Sequence, residues 1–168
     1  IQLAAATSQV KSNSMATSKT GIPGIAYVDY SIRAIASAKL KYAVQNSATD
    51  ASQWNSVFVP GTINPVYSSL AYDESDRPWI GYFDTSNNRF YLVTNTQADG
   101  GGSWSSYEYP GTPAGAPGAL PMANQVGLAM LYSGGVASPV MAVLDNAVTG
   151  RGLKVAIFNR STLTWSSA

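Results

Sequence analysis

The side chains that most often carry enzymatic chemistry are missing from this chain, which has no histidine and no cysteine. That excludes a Ser-His-Asp triad, a thiolate nucleophile, a thiolate zinc site and disulfides. Carboxylate, guanidinium and phenol groups are among those that remain. Asp29, Asp84 and Asp145 recur in one local context, so three carboxylates could ring a common axis and offer the paired acids of glycoside hydrolysis. The plainer reading is that each closes a strand and accepts hydrogen bonds from turn backbone. Asp73-Glu74-Ser75-Asp76 is the densest acidic stretch. It has the oxygen donors that a hard cation such as Ca²⁺ takes, and equally the make-up of a solvated turn. No metal, cofactor or catalytic residue is assigned. Tyr30, Tyr107 and Tyr109, placed in turns or at strand ends, join Trp79 as candidate contacts for a sugar ring or a protein partner.

These residues sit on a repeat. Pro23-Gly24-Ile25-Ala26-Tyr27-Val28-Asp29 aligns without gaps on Pro78-Trp79-Ile80-Gly81-Tyr82-Phe83-Asp84 and on Pro139-Val140-Met141-Ala142-Val143-Leu144-Asp145. Beyond each stands a further β-prone run (Leu40 to Ala43, Phe90 to Val93, Leu153 to Ala156), then a tryptophan, Trp54, Trp104 or Trp165, that opens another. Before each proline lies a fourth run: Ile1 to Ala6, Tyr67 to Tyr72, and Val126 to Tyr132. Each unit therefore holds four short strands separated by Gly, Asn, Ser and Asp punctuation. No stretch keeps a helical apolar period for three turns.

A repeated four-strand unit with one tryptophan at a fixed place is the pattern of a β-propeller blade, so the expected fold is all-β with three antiparallel blades. A sandwich or a barrel is the alternative for twelve short strands, but neither has reason to repeat its hairpins in this way. The units divide the chain into residues 1–65, residues 66–121 and residues 122–168, the last with a truncated final strand. Small residues in the first runs (Ala4 to Ala6, Ser68 and Ser69, Gly127 and Ala129) suit the crowded axis of a ring. Two longer connections stand out: Thr7 to Thr20, a candidate recognition loop between strands one and two, and Pro110 to Pro121, a Pro/Gly/Ala-rich connector. Rings have roughly four to eight blades, so three need partners, either a second copy making a ring of six or another chain.

One local motif carries a family resemblance. Gln97-Ala98-Asp99-Gly100-Gly101-Gly102-Ser103-Trp104 resembles the Asp box of sialidase-type propellers, with Asp99, Gly101 and Trp104 matching and Gln97 where Ser or Thr is usual. The resemblance implies a structural turn between the third and fourth strands of a blade. It does not extend to the sialidase catalytic pattern: the Phe/Tyr-Arg-Ile-Pro motif is missing, and Asp76-Arg77-Pro78-Trp79 is the nearest stretch. The other tryptophans lack the box.

Charged residues make up only 11% of the chain and the net charge is +1, without blocks of one sign. Nucleic acid is therefore not an expected partner, since a phosphate-tracking groove needs clustered Lys and Arg. No apolar run approaches the roughly 20 residues of a membrane-spanning helix. The chain starts at Ile1, which reads as a processed product or part of a longer polypeptide. Low charge, no cysteine and abundant Ser, Thr and Asn suggest an extracellular or cell-surface setting. The expectation is a non-enzymatic propeller module that binds a protein or glycan. A glycoside hydrolase sharing its site with a missing portion, or a structural subunit of an extracellular assembly, are the alternatives.

Overall fold

The computed structural model describes residues 8–31, 38–47, 49–50, 52–110, 125–145 and 152–167, which hold twelve strands and no helix. The first four strands, β1 (Ser8–Thr17), β2 (Pro23–Ser31), β3 (Lys39–Gln45) and β4 (Trp54–Phe58), pair in chain order as an antiparallel meander, sheet I. Sheet II repeats this with β5 (Pro65–Tyr72), β6 (Pro78–Asp84), β7 (Arg89–Asn95) and β8 (Trp104–Glu108). Sheet III does so with β9 (Val126–Ser133), β10 (Val136–Asp145), β11 (Gly152–Asn159) and β12 (Thr164–Ser167). The protein is thus all-β, built of three four-stranded antiparallel sheets.

The first sheet departs from the sequence expectation. Its leading strand is Ser8–Thr17, inside the stretch expected to be a recognition loop, while Ile1 to Ala6 lies outside the described residues. The polar run misleads because small hydroxyl residues take the place of apolar ones: Ser12 and Ser14 alternate with Asn13 and Met15 against Val28, Tyr27, Ala26 and Ile25 of β2. The Pro110 to Pro121 connector, past Pro110 itself, also lies outside the described residues.

Pro23 and Pro78 begin their strands, where a missing N–H costs no ladder bond. Pro139 instead stands inside β10, opposite Met130. The cause is the turn before it. Gly134 and Gly135, both at positive φ, form a two-residue hairpin that zips to its tip. Sheets I and II use a longer turn, built twice from different residues. Ser18 Oγ accepts the Ile22 N–H at 3.1 Å where Asp73 Oδ1 accepts the Arg77 N–H at 3.0 Å. Gly21 (φ 84°) and Asp76 (φ 59°) fill the same left-handed position, which costs the aspartate roughly 1 kcal/mol that glycine does not incur.

Sheets stack through alternate positions of their second strands. Ala26, Val28 and Tyr30 face one way and join Leu70, Ile80 and Tyr82 in the core between sheets I and II. Phe83 faces the opposite way from Tyr82 and joins Met141 and Val143 between sheets II and III. Every residue of β6 is consequently buried, and its strand reads as one apolar run for that reason. Close approach is required where Gly24 meets sheet II, since a Cβ there would fall on the Tyr72 hydroxyl.

The leading strands lie side by side, β1 against β5 and β5 against β9. A serine hydroxyl bridges each step: Ser14 Oγ accepts the Leu70 N–H and Ser69 Oγ accepts the Leu128 N–H, both at 3.0 Å. Ser14 and Ser69 are equivalent, each standing opposite the third residue after its sheet's proline (Ala26 and Gly81). Ser12 adds a second such bond to the Ser68 N–H at 3.0 Å. Replacing Ser69 with alanine strands a partly buried N–H, and a loss of about 1–2 kcal/mol in urea unfolding is expected. Alanine at the exposed Ser105 should change stability by less than about 0.5 kcal/mol.

Candidate functional site

Each step between sheets opens a groove at the end of the stack where the turns between first and second and between third and fourth strands gather. The groove between sheets I and II has a volume of about 350 Å³, and the one between sheets II and III about 380 Å³. Equivalent backbone positions line both: Val44, Gln45 and Asn46 in the first, Thr94, Asn95 and Thr96 in the second. Their chemistry differs.

The second groove is lined by paired charges. Asp73 is fully buried and accepts from six donors: the Ser75 and Arg77 N–H groups on Oδ1, and Arg77 Nε and Nη2, Trp79 Nε1 and Arg160 Nη2 on Oδ2. Glu74 takes Arg160 Nη1 at 2.8 Å and the Ala137 N–H at 2.9 Å, so sheet II holds sheet III through two carboxylates and one arginine. Arg160 also donates to the Ala137 carbonyl at 2.8 Å and lies over the Trp79 ring, 5.6 Å from its centroid. Tyr107 stacks near Trp79 with ring centroids 6.5 Å apart. Both guanidiniums are therefore spent within the protein, and Arg160 and Tyr107 occupy the surroundings of Trp79 that a sugar would need. Asp73 and Glu74 of the acidic stretch are thus paired with arginine.

In the first groove the carboxylates are met by backbone and hydroxyl donors instead of arginine. Its floor is apolar, from Ile22, Val44 and Tyr72, and its rim is polar, from Thr20, Asn46, Asp76 and Asp99. Asp76 accepts the Lys19 N–H at 2.6 Å and the Thr20 hydroxyl at 2.8 Å, tying the first turn of sheet II to that of sheet I. Asp99 accepts the Gly101 N–H at 2.8 Å. Beneath them the Tyr42 and Tyr72 hydroxyls share a 2.7 Å hydrogen bond, and Tyr42 donates to the Ala98 carbonyl. Burial pushes both phenols upward, Tyr72 to about 12 and Tyr42 further. Such phenols stay neutral and serve as hydrogen-bonding groups rather than nucleophiles.

The residues singled out in the sequence separate into two sets. Trp79 and Tyr107 line the second groove, but Trp79, Tyr30 and Tyr109 are all buried: Trp79 packs on Phe158, Tyr30 donates to the Pro65 carbonyl, and Tyr109 packs on Phe90 and Trp165. A strand end is no guarantee of exposure when a second sheet packs over it. The repeated aspartates also part ways. Asp84 ends β6 and accepts the Ser86 N–H, as a turn-forming aspartate should, and burial raises its pKa. Asp29 lies within β2 and pairs with Lys41 Nζ at 2.6 Å instead. Asp145 ends β10.

In the turn that resembles an Asp box, Asp99 holds one N–H, Gly100 supplies the positive φ, and Trp104 opens β8 with its ring edge-on to Tyr42 of sheet I. The principal organiser is a residue outside the motif. Asn95, fully buried, donates to the Gly100 and Gly102 carbonyls and accepts the Gln97 and Gly102 N–H groups. Trp165 of sheet III repeats the inward role of Trp104, packing on Tyr109 and donating to the Glu108 carbonyl of sheet II.

Burial alone would raise the Glu74 carboxyl, but the bonds from Arg160 and Ala137 outweigh it and hold the pKa at about 2, below the usual 4.5. A carboxylate depressed by folding stabilises the protein above its unfolded pKa, and that share is lost as pH falls from 4.5 towards 2. Glu74→Gln should therefore be less stable than the wild type at pH 7, and the gap should narrow at pH 3, measured by urea unfolding at both values. No family model and no curated protein matches this chain.

Proposed function

We propose that the three sheets are blades of a β-propeller, that further blades complete the ring, and that the assembly is an extracellular module binding a protein or glycan. The observation that carries this reading is the repeated step between sheets. Leading strands lie side by side, a serine hydroxyl bridges each step at an equivalent position, and the grooves open at the same end. Radial repetition about one axis is the propeller's way of burying both faces of every blade. The Asp-box-like turn at Asp99, Gly101 and Trp104 agrees with this, and the low charge agrees with a surface setting.

The groove between sheets I and II is the ligand site of this proposal. An apolar floor ringed by hydroxyl, amide and carboxylate groups suits a polyhydroxylated or hydrogen-bonding ligand. A second reading, glycoside hydrolysis, draws on Asp76 and Asp99 lining that one groove. Both carboxylates already accept bonds from turn backbone, which favours binding over acid–base work.

The test uses a glycan array and a panel of surface-displayed protein domains, probed with the wild type and with Ala98→Trp, which fills the groove from its exposed rim. Binding that Ala98→Trp abolishes at an unchanged melting temperature supports the proposal. Binding indifferent to Ala98→Trp removes this groove as the site. Release of nitrophenol from aryl glycosides by the wild type, lost in Asp76→Asn, would establish the hydrolase instead.

A further inference from the structure

The hydroxyl protons of Ser18, Thr20, Tyr42 and Tyr72, at the groove between sheets I and II, are committed within the protein. Tyr42 has one proton and gives it to the Ala98 carbonyl at 2.7 Å, so the proton in its bond with Tyr72 comes from Tyr72. Thr20 gives its proton to Asp76, so the proton between Ser18 and Thr20 comes from Ser18, whose oxygen accepts the Ile22 N–H. Both relays end on turns of sheet II. What these hydroxyls can still show a ligand is lone pairs. Tyr72 is only 6% exposed yet lines the groove, and its hydroxyl oxygen accepts from no described residue.

The rim adds charge to this surplus of acceptors. The donors that reach Asp76 and Asp99 are the N–H groups of Lys19 and Gly101 and the Thr20 hydroxyl, all of them neutral. Among the described residues neither carboxylate is in an ion pair, and no lysine or arginine lines the groove. Burial first, then Tyr72, and after them the charges of Asp99 and Asp76 push the Tyr42 phenol upward. Both carboxylates therefore act on one point beneath the groove.

The second groove shows how the fold itself answers two carboxylates. Phe158 stands opposite Trp165 as Asn95 stands opposite Trp104, so Arg160 and Gln97 hold the same place, two residues on. Arg160 brings a guanidinium to Asp73 and Glu74. Gln97 brings no charge to the first groove.

Resting on the reading of this groove as the ligand site, we propose that it receives the side chain of an arginine or lysine from a protein partner. The cationic head takes the carboxylates of Asp76 and Asp99 and the lone pair of Tyr72. Its methylene stem lies on Ile22 and Val44, the aliphatic part of the floor. A head that only donates matches a lining that only accepts. Sugar hydroxyls also need donors, and among the lining residues only the Gln45 and Asn46 amides have side-chain protons to give.

The experiment titrates the full chain, labelled with nitrogen-15, to millimolar concentrations of small probes and follows its amide shifts by NMR. The probes are capped Gly-Arg-Gly, Gly-Lys-Gly and Gly-citrulline-Gly peptides, glucosamine and glucose. The arginine and lysine peptides should shift the amides of Val44, Tyr72, Ala98 and Asp99 saturably. Neutral citrulline, nearly the shape of arginine, should not. Asp99→Asn and Asp76→Asn keep an acceptor for the turn N–H groups. Each should weaken the arginine peptide about tenfold, with near-UV circular dichroism unchanged. Asp99 is exposed, so its variant decides the matter if Asp76→Asn disturbs the fold.

Citrulline binding as well as arginine, or an arginine peptide indifferent to Asp99→Asn, overturns the proposal. Glucosamine binding in place of the peptides, with glucose inert, assigns the cation to an amino sugar and overturns the protein partner. Silence of the groove towards every probe overturns the proposal as well. In that case a ligand from the array or panel that Ala98→Trp still blocks leaves the groove standing as the site. A ligand indifferent to Ala98→Trp removes both.

Discussion

A four-stranded sheet has two faces and cannot bury either by itself. Sheet II meets that constraint from both sides, and its second strand, Pro78–Asp84, is buried at every residue. The constraint dictates composition as well as packing. A chain with 11% charged residues has few groups that must stay in water, so faces can be apolar and polar needs can be met by hydroxyls and amides. Serines 12, 14 and 69 illustrate this: they are small enough for neighbouring strands to approach and polar enough to cap the N–H groups that face them.

Charge is concentrated where the fold can use it. Asp73, Glu74, Arg77 and Arg160 form one balanced group around Trp79, joining a turn of sheet II to a turn of sheet III. The corresponding turn of sheet I has Ser18 in place of Asp73 and Gly21 in place of Asp76, and no arginine lines the groove beside it. One turn geometry is thus built once with paired charges and once without them. Removing one partner of the locked group would leave a buried charge uncompensated, a far larger penalty than the net worth of the pair.

Much of this architecture was legible in the sequence. The gapless Pro-to-Asp match placed β2, β6 and β10, and the tryptophans marked β4, β8 and β12 to within a residue, because those signals are local. The leading strand of sheet I was not legible. Its run of Ser, Asn, Lys and Thr looks like a loop until the facing strand shows that hydroxyls, rather than aliphatic groups, fill the inter-sheet space. The site was harder still. Residue type singles out Trp79, Tyr107, Tyr30 and Tyr109 alike; the first two line a groove, yet only Tyr107 among the four is not buried. Arg160 lies 86 residues from Glu74, and no spacing rule connects them. Asn95 lies outside the Asp-box pattern, so the motif does not reveal it, although this buried amide at the end of β7 makes more of the turn's hydrogen bonds than Asp99 does.

The serine bridges have a consequence for how the molecule breathes. They link residues 56 or 59 positions apart, close to one repeat length, so each sheet is tied to its immediate neighbours. Local opening in such a row follows nearest-neighbour arithmetic. In the chain by itself, without further blades, an outer sheet detaches by giving up one interface, whereas the middle sheet must give up two. Amide hydrogens in β6 and β7 should accordingly exchange with solvent only on global unfolding, while those of β9 to β12 exchange through partial opening. Protection would rise towards the centre of the chain and fall away on either side, a gradient set by position in the row rather than by the residues themselves.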